Sequence, residues 1–127
     1  MKLRIRGNSI RLRLTKSDIA QFASTGRVEE RVEFGFAKSA LYYRLNRTED
    51  DDTTRARFED DCLTISISAA DAENWIESEQ VGIEATQPIG NEKVLRILVE
   101  KDFACLAERV NEDDSDAFTH PNKANIA

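Results

Sequence analysis

Cysteine is nearly missing: Cys62 and Cys105 are the only two in 127 residues, far too few to staple a fold with disulfides. We expect both to be reduced, mostly buried thiols in a cytoplasmic protein. Histidine is scarcer still. His120 alone cannot complete a zinc site with two distant cysteines, and its place near the end of the chain suits a preorganised general base poorly. No apolar run approaches the roughly 18 residues of a membrane span. Charge interrupts every apolar residue of Met1-Lys2-Leu3-Arg4-Ile5-Arg6, so no signal-peptide core is expected either. Gly-x-Ser-x-Gly, phosphate-binding and dinucleotide-binding glycine loops and Cys-x-x-Cys are all missing. The expectation is a non-enzyme without cofactor or metal.

Charge is abundant but unevenly placed. The net charge is −6, yet Lys2, Arg4, Arg6, Arg11, Arg13 and Lys16 precede the first acid, Asp18. A basic arm on an acidic body either meets an anionic partner or pairs with the body. Pairing predicts that Glu29 and Glu33, with Arg31 between them on the outward side of the third strand, sit across from the arginines.

Alternation is the main structural signal. Leu3 and Ile5 oppose Arg4 and Arg6, and Ile10, Leu12 and Leu14 oppose Arg11 and Arg13, giving two half-buried strands joined at Gly7-Asn8. Thr15 with Asp18 three residues later caps a helix whose stripe is Ile19, Phe22 and Ala23 and whose stop is Gly26. Val28–Phe36 and Leu41–Leu45 alternate again. Moved along by 53 positions, the pattern restarts: Ile5 falls on Phe58, Leu12 on Ile65, Thr15 on Ser68, Phe22 on Trp75, Val28 on Val81, Leu41 on Val94 and Leu45 on Leu98. This gapless tiling predicts an internal duplication.

The expected fold is α+β: one domain, 1–127, from tandem ββαββ units at 2–47 and 54–100 around a pseudo-twofold axis. It would hold about eight strands and two helices, with a barrel-like form as one option. A single unit cannot cover its own apolar faces, so the two should share a core. Residues 101–127 form a tail with a short helix over 102–110, and the acidic run from 111 onward should be loose.

The opening Met1–Thr15, read with Glu100–Leu106, resembles a family of small bacterial proteins of unknown function, which implies no activity. Residues 2–47 also resemble the swapped-hairpin DNA-binding domains of bacterial antitoxins and transition-state regulators. In those, two chains interleave into one barrel and basic residues near the hairpins bind DNA. That resemblance implies nucleic-acid or anion binding by Lys2, Arg4, Arg6, Arg11 and Arg13. The chain departs from it in lacking a proline before the helix. It departs again in placing Arg57, Glu59, Thr64 and Ser66 at the second unit's matching positions, so only one half is basic.

Two acidic stretches, Asp50-Asp51-Asp52 and Glu59-Asp60-Asp61, invite a cation reading. Their spacing is not that of an EF-hand, and they are expected to be solvated loops. Asp113, Asp114, Asp116 and His120 read the same way. Trp75 and Phe22 read as core, and of Tyr42 and Tyr43 one ring should face outward. The function expected is that of a small cytoplasmic, non-catalytic binding or interaction protein away from membranes, with an oligomer as one option. A nucleic-acid-binding regulator using the basic hairpin is the alternative.

Overall fold

The computed structural model describes residues 1–36, 39–50, 53–103 and 116–118. The element order is β1 (Lys2–Arg6), β2 (Ser9–Leu14), α1 (Lys16–Thr25), β3 (Arg27–Glu33), β4 (Ala40–Thr48), β5 (Arg55–Glu59), β6 (Cys62–Ser68), α2 (Ala69–Glu77), β7 (Gly82–Gly90) and β8 (Lys93–Lys101). The sequence reading of α+β with eight strands and two helices matches this order. The short helix read over 102–110 and the acidic run beyond it fall largely outside the described residues.

The helices begin where their caps dictate. Thr15 Oγ1 accepts from the Asp18 amide at 3.2 Å while Asp18 Oδ2 accepts from the Thr15 amide at 2.9 Å, a reciprocal capping box. Ser68 caps α2 with the first of these bonds, accepting from the Asp71 amide at 3.1 Å. Gly26 closes α1 with φ near 77°, a left-handed residue that glycine adopts without steric cost.

The strands form two four-stranded sheets, β1-β2-β8-β7 and β3-β4-β6-β5. Each sheet joins one hairpin from each half of the chain, through parallel contacts of β2 with β8 and of β4 with β6. Exchanging β1–β4 for β5–β8 turns one sheet order into the other, as a pseudo-twofold axis requires. Hydrogen bonds repeat under the same exchange. Arg96 N donates to Asn8 O at 3.0 Å and Tyr42 N to Asp61 O at 2.9 Å; Arg47 N donates to Gly26 O at 2.8 Å and Lys101 N to Val81 O at 2.9 Å.

Two expectations are corrected. The sheets do not close into a barrel. Between edge strands β5 and β7 the bridge is a side chain: Gln87 accepts from Ala56 N at 2.7 Å and donates to Ala56 O at 3.0 Å. The gapless tiling also fails beyond α2. Val28 pairs with Leu45 and Ile83 with Val99, so Ile83 and not Val81 is the structural twin of Val28, and Val99 and not Leu98 that of Leu45. The cause is the connection Ser78–Val81, where the first half spends only Gly26. The Trp75 indole holds this longer link by donating to Val81 O at 3.1 Å.

The core lies in the helix-proximal half of both sheets. Leu12, Leu14, Val28, Leu45, Ile65, Ile67, Ile97 and Val99 meet Phe22, Ala72 and Trp75 from the helices, all buried. The turn-bearing ends run past this core, which decides what they expose.

Candidate functional site

The pairing register places all five sequence-selected basic residues on the outer face of the first sheet. Lys2 stands opposite Arg13 and Arg4 opposite Arg11, while β8 adds Arg96 beside Ser9, Leu98 beside Arg11 and Glu100 beside Arg13. The first acid of consequence is therefore on β8. Arg13 Nε donates to Glu100 Oε1 at 2.6 Å, Arg11 Nε lies 3.6 Å from the same oxygen, and Lys2 Nζ lies 3.1 Å from Asp102 Oδ2. Arg13 and Glu100 are both mostly shielded, so this short charge-assisted bond is worth roughly 1.5–3 kcal/mol. Arg4 is also engaged. Among the described residues Arg6 and Arg96 make no ion pair.

The acids expected to pair with the arm do not. Glu29 and Glu33 belong to β3, in the other sheet. Glu29 Oε1 accepts from Arg44 Nε at 2.7 Å, and Glu33 pairs with Arg31 at 2.8 Å on its own strand. The arm is paired in kind, but by residues at the far end of the sequence, Glu100 lying 87 positions from Arg13, that only the parallel β2–β8 contact brings near. Alternation within β8 could have offered Arg96 and Glu100 as outward residues; nothing local could have offered their neighbours.

A second charged group lies where β1 starts. The Met1 ammonium is 2.8 Å from Asp18 Oδ2 and 2.9 Å from Glu30 Oε2. Burial alone would lower the amine's pKa, but the contacts with Asp18 and Glu30 outweigh it and hold the amine above its ordinary 8.0. Burial would likewise raise Asp18, and donation from the ammonium and from Thr15 outweighs that, holding the carboxyl below its ordinary 3.8. Burial and the neighbouring Glu30 carboxylate push Tyr43 up. These groups tie β1, α1 and β3 together.

On the outer face of the second sheet, Tyr42, Arg44, Arg57, Glu59, Asp60 and Cys62 border a shallow hollow of about 340 Å³. Cys62 is free and half-buried, with Thr64 Oγ1 3.6 Å from its sulfur. Tyr42 is the outward ring, and Tyr43 packs on the core. Among the described residues no three histidine, cysteine or acidic side chains gather as a metal site. Asp60 and Asp61 form a tight turn with φ of 50° and 61°. Asp51, Asp52, Cys105, Asp113, Asp114 and His120 lie outside the described residues.

Sequence reasoning overlooked the apolar turn ends. Ile5 pairs with Ile10 and its twin Phe58 with Leu63, and the outer member of each pair is exposed, 61% and 63%. Val32, Phe34 and Phe36 are exposed at the far end of the β3–β4 hairpin, Phe36 by 84%. Because β4 and β6 run parallel, the tip carrying Phe58 lies beside the one carrying Phe34 and Phe36. The signal was the alternation itself, which marks these residues as inward-facing without saying whether the core reaches them. No helix among the described residues is long and apolar enough to cross a membrane.

Against known proteins, the model of a family of unknown function (DUF7009) matches residues 1–122. No curated protein and no solved structure matches.

Proposed function

The chain belongs to this family of unknown function, and from that premise we propose that it is a non-catalytic, cytoplasmic interaction protein whose binding surfaces are the turn-bearing ends of its two sheets. One observation carries the reading. Ile5, Phe58, Val32, Phe34 and Phe36 are exposed at hairpin ends that outrun the core, and apolar groups gathered at a surface are the usual mark of a macromolecular contact. The basic side chains that would serve a polyanion are in part used up: Arg13 on Glu100 and Lys2 on Asp102.

The test is affinity capture from native extract, comparing wild type with Phe34→Ser/Phe36→Ser at matched folding. A partner held by wild type and lost by the variant supports the reading; equal capture by both overturns it.

A second reading, binding of nucleic acid through Lys2, Arg4, Arg6, Arg11 and Arg13, is favoured by the register. Arg4 stands directly opposite Arg11 and Lys2 opposite Arg13, so the cations gather on one outward face. Arg96 extends the same face. Retention on DNA that falls steeply with salt would support it.

A further inference from the structure

The two hairpins related by the pseudo-twofold axis carry opposite charge at their tips. The first reads Arg4-Ile5-Arg6-Gly7-Asn8 and the second Arg57-Phe58-Glu59-Asp60-Asp61, aligned residue for residue by their registers. Arg6 is replaced by Glu59, Gly7 by Asp60 and Asn8 by Asp61. The basic tip gains Arg96, held next to it because Arg96 N donates to Asn8 O at 3.0 Å and Asn8 Nδ2 donates to Val94 O at 2.7 Å. Among the described residues neither Arg6 nor Arg96 has an ion-pair partner, and neither has Asp60 or Asp61. Among the described residues the acidic tip holds one ion pair, a loose one, Arg57 to Glu59 at 3.7 Å. Each tip also exposes one large apolar side chain, Ile5 or Phe58, to nearly the same extent.

We infer that copies of this chain associate head to tail, the basic tip of one β1–β2 hairpin seating on the acidic tip of the next copy's β5–β6 hairpin. This rests on the turn ends being the binding surfaces, and it names a second copy as the partner. Charge argues for that partner. The complement of each tip already exists on the same molecule, in the other sheet. A symmetric contact of like tips would set arginine on arginine or aspartate on aspartate. The contact is heterologous, so it can propagate rather than stop at a dimer. Two hairpin tips cover far less than the roughly 800 Å² per partner of a stable interface, so the association is weak and sensitive to salt.

Sedimentation velocity on the full chain tests this, over concentrations up to about 500 μM, the range in which an interface below standard size is populated. Three samples are run at low and high salt: wild type, Arg6→Glu/Arg96→Glu, and Asp60→Asn/Asp61→Gly. The last pair removes both charges while installing the Asn-Gly turn that suits this left-handed geometry best, so the fold is kept. The expected result is a wild-type mass that rises with concentration at low salt and falls back at high salt. Each variant alone should be at least tenfold weaker. A one-to-one mixture of Arg6→Gln/Arg96→Gln with Asp60→Asn/Asp61→Gly should form a dimer and no larger species, because each contributes its one intact tip. Should the glutamates disturb the sheet, Arg6→Gln/Arg96→Gln repeats the arm by neutralisation. A wild type that stays monomeric, association unchanged in the variants, or a mixture that stays monomeric would each overturn the inference. A monomeric wild type leaves standing any partner captured through Phe34 and Phe36, so failure here is distinct from failure of the broader reading.

Discussion

Phe22 and Trp75, twins 53 positions apart, pack edge to face across the centre of the molecule, ring centroids 6.3 Å apart and planes at 65°. Each is fully buried on its own helix. The pair is where the two halves of the chain meet, and its geometry is the one aromatic quadrupoles favour. Phe22→Ala and Trp75→Ala should each cost about 3–5 kcal/mol in urea unfolding. The double variant should fall short of the sum by about 0.5–1.5 kcal/mol, the coupling expected of such a pair. Simple additivity would mean that the rings merely share a core.

Capping, turn chemistry and alternation made these helices and hairpins legible: Thr15 with Asp18, Gly7-Asn8, and Leu12 against Arg11 and Arg13. The errors have definite causes. Placing Val81 where Ile83 belongs is a slip of two, which alternation of period two cannot detect. Placing Leu98 where Val99 belongs is a slip of one. It went unseen because Val94, Leu95, Ile97, Leu98 and Val99 put apolar residues on both faces, so that only Arg96 and Glu100 mark the outward one. The partners of Arg13 and Lys2 were illegible for another reason. Neighbours across a parallel pair leave no local trace, so Glu29 looked as good as Glu100. The apolar tips were legible as strand faces but not as exposed ones, since exposure depends on where the shared core ends.

Gln87 gives the second prediction. Its amide satisfies both main-chain groups of buried Ala56, an edge residue with no strand beyond it. Gln87→Leu should cost about 1–3 kcal/mol, the penalty of leaving a buried donor and acceptor unmet. Hydrogen exchange at the Ala56 amide should quicken in step. An unchanged Ala56 amide would show that the clamp contributes nothing. The twin of Gln87 is Val32, which has no such amide, so the equivalent gap on the other side has no clamp of this kind.

Stability should fall away at both ends of the pH scale through the Met1–Asp18 contact. The Asp18 carboxyl is lowered on folding, so its contribution is complete above 3.8 and is lost as pH drops through the lowered value. The Met1 amine is raised, so its contribution is complete below 8.0 and is lost as pH climbs through the raised value. Asp18→Asn should abolish the acid limb and weaken the alkaline one, Glu30 remaining. Urea midpoints for the two proteins should converge at both extremes; parallel curves would contradict the assignment.

Glu100→Gln removes the carboxylate that Arg11 and Arg13 share and leaves the arm's cations facing one another. A loss of about 1–3 kcal/mol is expected, since a shielded guanidinium is left with a weaker partner. Added salt should recover part of the loss by screening the repulsion. A neutral substitution would mean that the arm does not depend on β8.

Whether the arginine face serves the fold or a polyanion is decided most directly by retention of the wild-type protein on duplex DNA as salt is raised. The interaction reading expects no retention at about 0.15 M salt, where screening already reaches within about 8 Å and the arm remains engaged with Glu100 and Asp102. Five phosphate contacts, by contrast, would make binding fall with a log–log slope of roughly −4 to −5. A slope of that size, lost in Arg6→Gln/Arg11→Gln at unchanged melting temperature, would contradict the reading and make the basic hairpin the site.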